Sequence, residues 1–425
     1  MRVLIANTRH YRQGGDSTYT FALAEALRGA GHAVGFFAMA GTRNEPDPNE
    51  DLFVSYIDFR ELNRHKSVAT GLRVLRRSIF SSEAEQKFTG LVERFKPDVV
   101  HLQNIHAHLT PSIVFAASRL GLPVVWTQHD YKLMCPNSHF RVDETGALCE
   151  ACRPGRYHWA LVKRCKKDSL AASGMAAIEA YAHWGSGLRS KVQYFLSPSR
   201  FLAGKLLEHG WPSDCVRHVP NFIAADPVLP PRGDGSHFLF IGKMESLKGI
   251  ETLLDAAQHV NGAPIVLVGA CDDPGLRHRL SHLPKNVRYV GTKTKREITD
   301  LLANARALVI PSLWYENQPM VILEAFAAGV PVIGSCIGGI PELVVNRQRG
   351  LLVEAGSAHE LAQAIIQLHR EPAKARRFGQ NAREYVMRHH SVEGHIATVT
   401  EIYRQANESV TRPHMAVAER QTSWT

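Results

Sequence analysis

The chain has 425 residues, 44% of them hydrophobic and 21% charged, with a formal net charge of +10. That length accommodates two cores, since single cores stop growing near ~250–300 residues, and the absence of an eighteen-residue apolar run excludes a membrane-spanning helix. The positive charge suits an anionic membrane surface, a phosphorylated substrate or a solvated basic face; with neither an aromatic-plus-basic recognition motif nor a zinc-finger spacing, nucleic acid is not expected as a partner.

In chain order, RVLIAN (2–7) reads as a buried strand and lacks the long apolar segment of a signal peptide. A cytoplasmic location follows, where thiols stay reduced. The glycine turn RQGGDS leads into a helix from Ser17 to about Ala30, and Gly15 offers close backbone approach to a phosphate or sugar. HAVGFFAMA (32–40), DVVHLQ (98–103) and PVVWTQ (123–128) are further strands, with a helix begun by Thr110 as N-cap and Pro111 in its first turn. SVATGLRVLRRSIFSS (67–82) combines apolar residues at helical spacing with Arg73, Arg76 and Arg77, a pattern suited to an anionic membrane or to packing on the domain. His129 stands at the end of PVVWTQ. Cys135, Cys149, Cys152 and Cys165 follow with spacing C-x13-C-x2-C-x12-C inside an insertion over 131–168. The paired C-x2-C favours tetrahedral zinc, a structural site closed by four thiolates; unligated thiols are the alternative, and a disulfide framework is not expected where thiols stay reduced.

After the linker 225–236, a second alternation begins: HFLFIGKM (237–244), APIVLVGA (263–270), NVRYVG (286–291), RALVIPS (306–312) and PVIGS (331–335). Strands alternating with helices make an α/β protein with parallel sheets. We read two Rossmann-like, doubly wound domains, 1–224 and 237–395, facing across a cleft. The helix 396–410 is expected to pack back on the first domain, and 411–425 to form a disordered tail. The fingerprint G-x-G-x-x-G is absent, which disfavours a dehydrogenase.

SLWYENQPMVILEAFAAGVPVIGSCIGGIPELV (312–344) carries the chemistry. Pro319 starts a short helix to about Ala328, and the free N–H groups of its first turn form an anion site. Glu316 stands in the loop before it and Glu324 on the helix. In FIGKMESLKGIETLLDA (240–256), Lys243 and Lys248 flank a strand–turn–helix junction suited to a pyrophosphate. No Asp-x-Asp occurs in the chain.

The 312–344 segment resembles the E-x7-E element of retaining glycosyltransferases of family four, which have the GT-B fold. The resemblance implies sugar transfer from a nucleotide diphosphate-sugar, UDP- or GDP-linked, to a saccharide or lipid-linked acceptor in polysaccharide or glycolipid assembly, with no metal in catalysis. It implies that Glu316 contacts the donor sugar, Glu324 the ribose, and the backbone around Asn317, Gln318, Met320 and Val321 the diphosphate. His129 is implied against the donor sugar, Lys243 and Lys248 at the pyrophosphate, and Gly15 as a donor- or acceptor-side contact. Relatives usually carry Arg-x4-Lys where this chain has Lys243, so the bidentate fork is lost. A peripheral position on the inner face of the membrane would suit lipid-linked acceptors. A GT-B sugar-nucleotide epimerase and a non-catalytic nucleotide-sugar-binding protein are the alternatives.

Overall fold

The structure, a computed structural model, describes residues 1–57, 75–106, 108–223 and 233–421, with side chains to 410. The basic amphipathic segment 67–82 therefore falls outside the described residues up to 74, and the linker 225–236 up to 232. The chain divides into two compact units.

The first unit comprises 1–198, 202–219 and the segment from 395 onward. Its sheet has six parallel strands: β1 (Arg2–Ala6), β2 (Ala33–Phe37), β3 (Val99–Leu102), β4 (Val124–Thr127), β5 (Tyr194–Ser197) and β6 (Val216–His218), in the order β2-β1-β3-β4-β5-β6. β1, β3 and β4 are apolar runs buried along almost their whole length, as strands covered on both faces must be. The helix Val392–Gln421 completes this unit: Val399, Tyr403 and Ala406 are fully buried, and the Tyr403 hydroxyl lies 2.6 Å from His101 Nδ1. At its start, His395 Nε2 lies 3.0 Å from the Tyr19 hydroxyl.

The second unit comprises 199–201 and 220–394. Its strands are β7 (His237–Ile241), β8 (Ile265–Val268), β9 (Val287–Tyr289), β10 (Ala305–Ile310), β11 (Val332–Ser335) and β12 (Gly350–Val353), all parallel, in the order β12-β11-β10-β7-β8-β9. Successive side chains enter opposite cores. Phe238 and Phe240 of β7 pack with Ile250, Leu253, Leu361 and Ile365 on one face. Leu239 packs with Ile322, Leu323 and Phe326 on the other. Counted within this unit, the order is 3-2-1-4-5-6 from its far edge, that of a dinucleotide-binding Rossmann sheet, and the reversal falls between β7 and β10.

Several expected boundaries move. The helix Gly15–Gly29 starts at Gly15, two residues before Ser17. Pro111, not Thr110, occupies the N-cap of Ser112–Arg119; Thr110 precedes it at φ 58, its hydroxyl 2.9 Å from that of Ser112. Pro319 is likewise the N-cap of Met320–Ala327 rather than a residue within it. The last helix continues past 411, where its pattern was expected to end, to Gln421. β5, β6 and β12 have three or four residues each and were not anticipated.

Candidate active site

In the second unit, the loops following β7 and β10 meet at the strand reversal, where open parallel sheets present ligand sites. Lys248 and Glu316, 68 residues apart, are joined there by a 2.8 Å bond from Nζ to Oε1. Two glycines permit it. Gly249, at φ 69, follows Lys248, and a Cβ there would lie 1.8 Å from the Pro311 carbonyl oxygen. Gly339, in the turn after β11, passes so near the Glu316 loop that a Cβ would lie 1.8 Å from the Asn317 carbonyl oxygen; its N–H donates to the Glu316 carbonyl at 2.7 Å.

Glu316 is 6% exposed. Its Oε1 also accepts from the Ser312 hydroxyl at 2.7 Å and the Trp314 indole N–H at 2.9 Å. Burying a carboxylate is costly unless it is paired and hydrogen-bonded, and here one oxygen takes every bond. The other, Oε2, has no hydrogen bond among the described residues, so it is the oxygen available to a ligand. The Lys248 ammonium also lies 5.1 Å from the Trp314 ring centroid. Ser312 and Trp314 had no sequence signal of their own.

Four residues beyond Glu316 the helix Met320–Ala327 begins with no side-chain cap. Among the described residues the N–H groups of Met320 and Val321 have no protein acceptor, which leaves them to an anion. Asn317 and Gln318 hold the loop from behind: Ser199 Oγ donates to Asn317 Oδ1 at 2.6 Å, and the Asn221 N–H donates to Gln318 Oε1 at 2.6 Å. The side chains of Asn317 and Gln318 are therefore tethers, whatever their backbones do. Glu342 takes the Arg200 and Phe201 N–H groups at 2.8 and 2.6 Å. The Glu324 carboxyl makes no hydrogen bond among the described residues, and burial raises its pKa against the opposing charge of Lys295. Lys243 does not join the Glu316 cluster: its ammonium lies 3.4 Å from Glu245 and 3.3 Å from Asp272. Slight burial works against its charge, but the two carboxylates raise its pKa.

In the first unit, the helix Gly15–Gly29 starts from Gly14, which has φ 88 and gives no side-chain cap. His129 lies two residues past β4, its Nε2 2.7 Å from Gln103 Oε1. Gln103 follows β3 directly and, as the acceptor, fixes the proton on Nε2; sequence reading missed it although it sits at a strand end. Burial lowers the His129 pKa, with Asp16 and Asp130 opposing. Beneath lies a buried network in which His101 Nε2 is 2.8 Å from the Thr127 hydroxyl, and burial pushes the His101 pKa down to about 3.

The zinc expectation is not supported. Cys135, Cys149, Cys152 and Cys165 are free thiols, and the neighbouring thiols add to the burial that raises the pKa of Cys152 and Cys165. Yet no three His, Cys, Asp or Glu side chains among the described residues form a group able to hold a metal ion. Cys152 and Cys165 pack instead with Val142, Tyr157, Ala160 and Ala177, and burial pushes both thiols up to about 12. That leaves the alternative reading, unligated thiols in an apolar core.

Two protein families match this chain. The one described as Glycosyltransferase Family 4 covers residues 13–226, and that described as Glycosyl transferases group 1 covers 223–385. Alpha-maltose-1-phosphate synthase of Mycolicibacterium smegmatis is 33% identical over 187 residues, 40% of this chain and 47% of that protein. The matched region spans 51% of a glycosyltransferase of Methanocaldococcus jannaschii and 87% of a 42.6 kDa protein in the cps region of Klebsiella pneumoniae, which is 21% identical. Among solved structures, sucrose-phosphate synthase from Thermosynechococcus elongatus superposes with a TM-score of 0.68 at 20% identity, covering 96% of this chain and 99% of that one. Anabaena HepE in complex with UDP-glucose gives 0.63 at 14% identity, covering 95% and 100%. These likenesses carry the GT-B fold. With one family spanning residues 13–226 and a second continuing from 223, this chain belongs to glycosyltransferase family 4.

Proposed function

We propose that the chain transfers a sugar from a nucleotide diphosphate-sugar to an acceptor hydroxyl, with retained anomeric configuration and no metal ion in the reaction. The observation that carries this reading is the Lys248–Glu316 pair at the end of β7 and β10, just ahead of an uncapped helix start. Cleaving the sugar–phosphate bond leaves negative charge on the diphosphate. Lys248 and the N–H groups of Met320 and Val321 supply fixed positive partners for it, and one such donor is typically worth ~2.7–4 kcal/mol. Oε2 of Glu316 would accept from a donor-sugar hydroxyl, while Oε1 is held by Ser312, Trp314 and Lys248. Glu324 would bind the ribose. Lys243, already engaged by two carboxylates, would reach the pyrophosphate only by exchanging them.

In the retaining reaction the acceptor oxygen attacks on the face from which the diphosphate departs. The acceptor proton passes to the leaving phosphate oxygen, so no protein base is required. His129, with Nε2–H donated to Gln103, would present Nδ1 to the sugar. Anabaena HepE has been solved with UDP-glucose and with UDP and glucose, which supports a UDP-sugar here over a GDP-sugar. A saccharide or lipid-linked acceptor, in polysaccharide or glycolipid assembly, completes the reading.

The test is a thermal-shift screen against UDP-, GDP- and ADP-sugars, followed by release of free nucleotide diphosphate with and without acceptor. Stabilisation by one donor and acceptor-dependent release are expected, both lost in Glu316→Ala and Lys248→Ala. Interconversion of nucleotide sugars without acceptor would refute transfer.

A further inference from the structure

The helix Leu170–Gly185 is built the wrong way round for a surface helix. Such helices turn charge to water and apolar residues inward. Its sequence, LAASGMAAIEAYAHWG, holds a single charged residue by the Asp/Glu/Lys/Arg count, Glu179, and that one is buried and paired with Lys132 at 2.9 Å. Leu170, Gly174, Ile178 and Tyr181 recur at helical spacing along one stripe, and Leu170 and Ile178 are 53% and 52% exposed.

The short helix His158–Val162 lies alongside and extends this face. Leu161 sits over Gly174, where an added Cβ would be 3.4 Å from Leu161 Cδ1, and the Tyr181 hydroxyl is 3.1 Å from His158 Nδ1. Trp159 and Leu161 are exposed, and Val162 is 63% exposed. Scattered exposed apolar residues need no explanation; six joined across two adjacent helices do. Around them, the stretch 153–169 has six Lys and Arg against one acid, Asp168. Arg156, Lys163, Arg164 and Lys167 are exposed.

We propose that this face, formed by His158–Val162 and Leu170–Gly185, docks on an anionic bilayer surface. The apolar stripe enters the headgroup boundary, Trp159 and Tyr181 lie at headgroup level, and the cations between the helices meet lipid phosphates. The helix has 16 residues, short of the ~20 needed to cross a bilayer, so it rests on the surface. A second copy of the chain is a poorer occupant, because a two-fold contact would bring each basic rim against its twin. The inference does not depend on the sugar-transfer reading, and its test uses no donor.

The full chain is mixed with phosphatidylcholine vesicles, with or without phosphatidylglycerol, and the bound fraction measured by flotation. Binding to the anionic vesicles alone is expected. Val162→Ser with Ile178→Ser should weaken it at least tenfold, and Lys163→Gln, Arg164→Gln and Lys167→Gln together about a hundredfold. These side chains are exposed, so far-ultraviolet circular dichroism and melting temperature should match the parent. Equal binding to neutral vesicles, no binding to anionic ones, or variants that bind like the parent would overturn the proposal. So would a dimer in gel filtration that Ile178→Ser dissociates.

Discussion

Taking the cation away from Glu316 gives the sharpest test of how this site is held. In Lys248→Met the methionine preserves most of the apolar stem beside Trp314, but Glu316 is left with only Ser312 and Trp314 as donors. A hydrogen bond to a charged group contributes ~1.5–3 kcal/mol. Lys248 is about one-quarter exposed, which sets the loss near the low end, about 2 kcal/mol. Glu316→Gln should cost less, about 1 kcal/mol, because the freed ammonium can reach water while the amide oxygen still accepts from Ser312 and Trp314. In the double variant neither partner is stranded, so its cost should fall about 1 kcal/mol short of the sum. Scanning calorimetry of parent, singles and double reads this directly: about 2 kcal/mol corresponds to ~4–8 °C for a unit of this size. Additivity within ~0.5 kcal/mol would show that the pair is not energetically coupled and would refute the account of the cluster.

Gly249→Ala should lower both melting temperature and nucleotide release, since its Cβ would strike the Pro311 carbonyl at 1.8 Å from a backbone at φ 69; unchanged melting would contradict the close approach. His101, with its pKa pushed down to about 3 by burial, stays neutral in the fold while the unfolded chain gains a proton below ~6.5. Its stability contribution is therefore present above pH 6.5 and is lost as pH falls toward 3. By pH 5 the loss is about 2 kcal/mol, which His101→Asn should remove from the urea-midpoint profile; parallel profiles would refute it. Cys152 and Cys165, their thiols pushed up to about 12, should resist iodoacetamide at pH 7.5 while exposed Cys336 is alkylated first by mass spectrometry. Labelling of all three at one rate would be inconsistent with the buried packing. Glu342→Ala should cost about 1 kcal/mol by stranding the Arg200 and Phe201 N–H groups, measurable as a drop in melting temperature.

What the sequence made legible was whatever carries a period or a local spacing. Long apolar strands such as β1 and β10 stand out because both faces are buried, whereas β6, VRH, has one apolar residue in three and no alternation to detect. The E-x7-E spacing located Glu316 and Glu324, and the strand–turn–helix junction located Lys248. Their joining was not legible, because a contact across 68 residues depends on how β7 and β10 pair. Ser312 and Trp314 went unnoticed because a loop has no period that aims side chains at a common atom. Gln103 was detectable as a polar residue at a strand end, but its partner, His129, lies beyond a different strand. The cysteines misled in the other direction. Their spacing suits zinc, while the side chains around Cys152 and Cys165 are those of an apolar core.

The helix from Val392 places a constraint on how the chain is made. Residues 1–198 of the first unit leave the ribosome before any strand of the second, yet Tyr403 and Val399 fill the first unit's interior and His101 Nδ1 lacks its Tyr403 partner until they arrive. Domains generally complete in order from the N-terminus during synthesis. Here the second unit, whose main segment ends at Gly394, has all its strands before the first unit receives its last helix. The unit begun first is finished last, and a nascent chain halted near residue 394 would carry a closed second unit beside an open first one.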